Sequence, residues 1–198
     1  MIYLCDFEDS FSFNIYSEIL LQGLELEVIP RKKVASFLAE MAQTKTKVNI
    51  ILGPGPGHPS EYQDIKVELP RVLKNKNIFI LGICLGHQFL SEAMGLKVER
   101  SLSPKHGENI EIELSPTQMQ DFSLPQKLLV QRYNSLAVLE NNETEKILSF
   151  LKLKAVFHQK ELMLLKGERF ISYQFHPESV GTTYRSCFFE ALRNTDYN

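Results

Sequence analysis

Gly82-Ile83-Cys84-Leu85-Gly86 follows directly on the apolar run Ile78-Phe79-Ile80-Leu81. A nucleophilic side chain framed by glycines at the end of a buried strand is an elbow pattern: the chain turns sharply from strand to helix and lifts the side chain off the sheet. Glycine suits such a turn because the space is crowded and the backbone visits strained angles. The pattern predicts a thiol at the carboxyl edge of a sheet, above the start of a helix, and an enzyme with a cysteine nucleophile is the leading expectation. The competing reading is that Cys84 is a small buried hydrophobe, as lone cysteines usually are. A free thiol is only a few per cent thiolate at neutral pH, and making thiolate dominant takes about 2.7 kcal/mol. A helix start supplies ~1 to 2 kcal/mol of that, so an imidazolium is needed from elsewhere in the chain.

Outward from the elbow, strands and helices alternate. The pattern predicts strands over Ile2 to Cys5, Leu24 to Ile29, Val48 to Leu52 and Ile78 to Leu81. Helices are expected after Asp9-Ser10 (with Phe11, Ile15, Ile19 and Leu20 on the apolar side and Gly23 at the end), over Val34 to Met41 and Ile65 to Leu73, and from Cys84 to near Gly95. Repeated strand–helix units imply an α/β fold, an open and mostly parallel sheet flanked by helices. From Lys97 to about Ile171 the runs are short and β-rich, with polar turns such as Glu140-Asn141-Asn142-Glu143, and added antiparallel strands are expected there. Tyr184 to Arg193 reads as a closing helix, and no linker splits residues 1–198, so one domain is expected.

Hydrophobic residues make up 43% of the 198, which marks a globular chain. A net charge of −2 offers no basic face for nucleic acid. No apolar run approaches a membrane span, and no signal peptide is visible, so a cytoplasmic location is expected. The three cysteines, Cys5, Cys84 and Cys187, are scattered, which argues against a disulfide framework or a metal site.

Five histidines are candidates for the base: His58, His87, His106, His158 and His176. His87 lies three residues into the helix after the nucleophile and points along it. His158 sits in a polar stretch and is expected to be solvated. His176 ends the apolar stretch Phe170-Ile171-Ser172-Tyr173-Gln174-Phe175 and precedes Pro177-Glu178. A carboxylate two residues on can turn back and hold the imidazole tautomer. An ordinary surface turn is the other reading of His176 and Glu178.

Gly82-Ile83-Cys84-Leu85-Gly86-His87-Gln88 and Gln174-Phe175-His176-Pro177-Glu178-Ser179 resemble the two signature motifs of class I (triad) glutamine amidotransferases. Within that family the chain is most similar to the glutaminase components of anthranilate synthase and aminodeoxychorismate synthase. Four further stretches carry the resemblance in the expected order: Asp6 with Asp9-Ser10-Phe11 and Asn14, Leu52 through Gly57 with Pro59, His106-Gly107, and Arg132-Tyr133 with Ser135-Leu136. The chain departs from the family pattern at Phe7 (usually asparagine), Glu108 (usually lysine) and Asn134 (usually histidine).

The resemblance implies Cys84 as nucleophile, His176 as base and then acid, and Glu178 as its orienter. The backbone N–H groups of Leu85 and Gly55 are the expected oxyanion donors. Pro54, Gly55, Pro56, Gln88, Ser135 and Leu136 are the expected substrate-binding residues, with Ser135 and Leu136 clasping glutamine through their backbone. The competing reading of the Pro54–Gly57 loop is a stiff turn leaving a parallel strand; without the resemblance, Gln88 is a helix-face residue and Ser135 a turn residue. No cofactor or metal is expected in this chain. Ammonia loses its nucleophilicity as ammonium, so an acceptor enzyme is expected to dock over the site: a chorismate-using synthase with magnesium in its own site. Gly57 and Thr182-Thr183 lean toward the anthranilate branch. Alternatives are the aminodeoxychorismate branch, service to both synthases, an amidotransferase of another pathway, a free-standing γ-glutamyl cysteine hydrolase, and a non-catalytic interaction protein.

Overall fold

The computed structural model describes residues 1–193. Its centre is a seven-stranded sheet, built mainly from β1 (Ile2–Asp6), β2 (Leu26–Pro30), β3 (Val48–Leu52), β4 (Ile78–Ile83) and β11 (Phe170–Tyr173), which run parallel. Two antiparallel strands, β10 (Glu161–Lys166) and β9 (Lys154–His158), extend one side, and the order is β2-β1-β3-β4-β11-β10-β9. This is the predicted α/β sheet with added antiparallel strands.

The central strands are buried on both faces, so their apolar runs are continuous and period two sorts the side chains. In β3, Val48, Ile50 and Leu52 join one core cluster while Ile51 joins the other. The first cluster lies under α2 (Arg31–Met41), α3 (Gln63–Lys74) and α4 (Leu85–Ala93). The second lies under α1 (Ser12–Leu21), the closing helix and the separate hairpin of β6 (Glu108–Glu113) and β7 (Lys127–Arg132). A short pair, β5 (Val98–Arg100) with β8 (Leu136–Val138), completes the strands.

Several expectations are corrected. Leu20 is 45% exposed, so the buried face of α1 is carried by Ile15 and Ile19. That helix begins at Ser12, and Asp9 supports the turn before it by accepting from the Phe11 N–H at 2.9 Å. The β-rich second half holds two helices, α5 (Pro116–Phe122) and α6 (Asn142–Phe150). The stretch read as the turn Glu140–Glu143 is the start of α6, where the Asn141 side chain accepts from the N–H groups of Glu143 and Thr144. The closing helix is 3₁₀ over Arg185–Leu192.

Candidate active site

Because β1, β3, β4 and β11 are parallel, their carboxyl ends share one rim. That rim is where open α/β sheets bind ligands. It gathers Asp6 and Phe7 from β1, the Gly53–Gly57 loop from β3, Cys84 from β4, and Gln174 to Glu178 from β11.

Cys84 has φ +50° and ψ −101°, a left-side backbone that only a tightly held turn sustains. Its N–H still donates to the Tyr173 carbonyl at 2.9 Å, which continues the β4–β11 pairing up to the nucleophile. Helix α4 starts one residue later, against the end of β3: a Cβ at Gly86 would lie 1.7 Å from the Leu52 carbonyl oxygen. The glycine of the motif is therefore a contact requirement. The first turn of α4 leaves the Leu85 N–H without an intrahelical acceptor. Gly55 sits against it, since a Cβ there would meet Leu85 Cδ2 at 2.7 Å and Phe7 Cβ at 2.6 Å. The two expected oxyanion residues are thus neighbours, and Phe7, where the family pattern has asparagine, is the floor beneath the loop. The loop is also tied at Pro56, whose carbonyl accepts from the Tyr62 hydroxyl at 2.9 Å. Tyr62 packs edge-on to Phe7 and Phe89, and the Arg31 guanidinium lies over its ring, 5.0 Å from the centroid.

His176 is held by its backbone. Its N–H donates to Gln131 of β7 at 3.0 Å, and its carbonyl accepts from the Thr182 hydroxyl at 2.7 Å. The ring is 2% exposed, tilted against Phe11 and edge-on to Tyr133, and its Nδ1–H donates to Glu178 Oε1 at 2.7 Å. Burial opposes the charged ring, but the Glu178 carboxylate and the Cys84 sulfur, each by charge and hydrogen bond, hold its pKa well above the usual 6.5. The imidazole therefore has the carboxylate on one side and the sulfur on the other. Cys5, by comparison, is fully buried, and desolvation pushes its thiol pKa up.

His87 is completely buried, bonds Ser172 Oγ at 2.9 Å, and is lowered to about 3 by desolvation, so it is a neutral packing residue. His158, expected to be solvated, is half-buried at the end of β9, and desolvation lowers its pKa.

A cavity of about 120 Å³ opens beside the sulfur, lined by Gly55, Pro56, Gly57, Cys84, Leu85, Gln88, Tyr133, Asn134, Ser135 and Leu136. Pro54 is buried and is not part of this lining. Gln88 is 3% exposed and donates from Nε2 to the Leu136 carbonyl at 3.3 Å and to Gln174 Oε1 at 3.2 Å. Gln174, with no exposed surface, directs its own Nε2 at Cys84 Sγ, 3.8 Å away. Sequence reasoning missed Gln174 and Tyr133 as site residues. The alternation of side chains along the strand end before His176 was the available signal for Gln174. Among the described residues no group of three or more His, Cys, Asp or Glu could hold a metal ion.

The family model of class-I glutamine amidotransferases matches residues 3–194. The chain belongs to this family. It is 34% identical over 187 residues to anthranilate synthase component 2 of Saccharolobus solfataricus, with 91% of each protein covered. It is also 34% identical over 182 residues to aminodeoxychorismate synthase of Streptomyces griseus, covering 90% of this chain but only 24% of that longer protein. A solved glutamine amidotransferase of Thermotoga maritima shares the fold, with a TM-score of 0.62, 19% identity, and coverage of 98% of this chain and 82% of that one. Among the described residues no helix is long and apolar enough to cross a membrane.

Proposed function

We propose that the chain is a glutaminase subunit. It splits L-glutamine through a cysteine thioester and delivers ammonia to a chorismate-using synthase, with anthranilate synthase as the favoured partner. The observation that carries this reading is His176, buried between Glu178 and the sulfur of Cys84 at a glycine-framed elbow. The Cys84 thiolate attacks the side-chain carbonyl carbon of glutamine, and the N–H groups of Leu85 and Gly55 receive the oxyanion. His176 gives its proton to the departing nitrogen, and ammonia leaves as the γ-glutamyl thioester forms. His176 then takes a proton from water as it attacks the thioester, and glutamate and the thiol are released. Glu178 keeps the proton-carrying face of the ring toward the sulfur.

Ammonia freed into water at neutral pH becomes ammonium, which is no nucleophile, so the reading requires a partner over the cavity. Magnesium belongs to that partner's site, and the chain acts in the cytoplasm as one domain. The choice of branch rests on the anthranilate synthase component matched over nearly its whole length. The complex carrying C84S should lose glutamine-dependent synthesis, by about 10³-fold or more, while ammonia-dependent synthesis by the partner survives. Loss of both activities, or of neither, would overturn the assignment. Assaying the product made from chorismate separates the branches: anthranilate supports the stated partner, aminodeoxychorismate the other.

A further inference from the structure

Asn134 stands where the resembling family usually has histidine, and it is 3% exposed on the turn that lines the cavity. Both ends of its carboxamide are engaged. Oδ1 accepts from Arg132 Nε at 3.0 Å, and Nδ2 donates to the Leu136 carbonyl at 2.9 Å. A guanidinium only donates and a carbonyl only accepts, so one orientation of the amide satisfies both. Arg132 is itself immobile. It is ion-paired with Glu161 of β10, each 1% exposed, and Glu161 also accepts from Ser101 Oγ at 2.6 Å and the Ser103 N–H at 3.1 Å. Asn134 therefore ties the cavity-lining turn to the main sheet.

The tie continues to Gln88. The Leu136 carbonyl accepts from Asn134 and from Gln88 Nε2, which uses both of its lone pairs. The other hydrogen of Gln88 Nε2 goes to Gln174 Oε1. With both hydrogens committed, Gln88 is left with Oε1 to offer to the cavity it lines, as an acceptor for an ammonium or amide N–H group of the substrate. The Ser135 carbonyl is already taken by the Ser101 N–H at 2.9 Å.

We propose that Asn134 is a positioning residue that sets the grip on glutamine, by fixing the Leu136 carbonyl between itself and Gln88 and so aiming the Gln88 oxygen into the cavity. The proposal rests on the glutaminase reading above. The Asn134 side chain hydrogen-bonds Arg132 and Leu136 rather than the sulfur or His176, so its loss acts on ground-state binding and leaves the nucleophile as it is.

The test uses the full chain with its synthase partner, measuring glutamate release against glutamine concentration and, separately, alkylation of Cys84 by iodoacetamide. N134A should raise KM about tenfold, with kcat within about twofold, and an unchanged alkylation rate. In a Q88A background the same substitution should add little, because both act through one carbonyl. N134S, which keeps an oxygen on the turn but cannot reach across to Leu136, carries the same expectation should N134A not fold. An unchanged KM, full additivity with Q88A, or a matching loss in alkylation would each overturn the proposal. Absence of glutamate release by the unsubstituted complex, with Cys84 still alkylated, would instead overturn the glutaminase reading.

Discussion

Two polar arms reach the sulfur of Cys84, and they are built from different chemistry. One is ionisable: His176 and Glu178, on the turn after β11, with Nδ1–H donated to the carboxylate and the ring also hydrogen-bonded to the sulfur. The other is made of carboxamides: Gln174, Gln88 and Asn134, running from the sulfur to the buried Arg132–Glu161 pair. A charged pair changes its interaction with every proton it gains or loses, which suits a step that moves protons. Amides keep the same donors and acceptors across the pH range, which suits holding a zwitterion whose own charges must be matched. Under the glutaminase reading, the difference assigns rate and recognition to separable groups around one atom.

The comparison breaks most visibly at His176. H176A should lower kcat for glutamine by about 10³-fold, with KM within about threefold and ammonia-dependent synthesis retained, as steady-state assays of the complex would read. A large KM effect with little change in kcat would erase the division. E178Q should have a smaller effect, about 10- to 100-fold in kcat, and it should move the titration. Glu178 is the largest influence holding the His176 pKa up against burial, so removing its charge lets the ring deprotonate at lower pH. A raised folded-state pKa gives stability that is complete below about 6.5, the unfolded value, and is lost as pH rises through the folded value. The melting-temperature gap between wild type and E178Q should therefore narrow as pH rises above that point, and a gap that widens contradicts the assignment. The smallest effect belongs to the amide arm. Q174M should raise KM about fivefold, near the worth of one buried hydrogen bond, and leave the pH profile of kcat unshifted.

The two arms were unequally legible in sequence. Cys84 and its glycines announce themselves because a strand-to-helix elbow imposes local requirements: Gly86 is forced by the Leu52 carbonyl. His176 and Glu178 are two residues apart, so their pairing is local too. The amide arm joins residues far apart in the chain, and Arg132 meets Glu161 only because the ends of β7 and β10 are brought together by the fold; no spacing rule points to it. Helices α5 and α6 failed for another reason. Their capping signals are present, in Ser115 with Gln118 and in Asn141, but each helix is short and its apolar period too brief to outweigh the surrounding strand-like runs. The parallel order of the main sheet was readable because buried strands and covering helices alternate with strong patterning, and that order alone delivers the distant motifs to one rim.

Gln174 carries a further consequence. Under the glutaminase reading, the protein keeps a copy of its target functional group within touching distance of its own nucleophile. What reaches the sulfur is the nitrogen end of that amide, while the oxygen end accepts from Gln88 Nε2. Attack on this internal amide would have to build negative charge on an oxygen that the neutral Gln88 amide already holds in place. The same hydrogen bonds that prepare the cavity thus spare the enzyme from digesting itself.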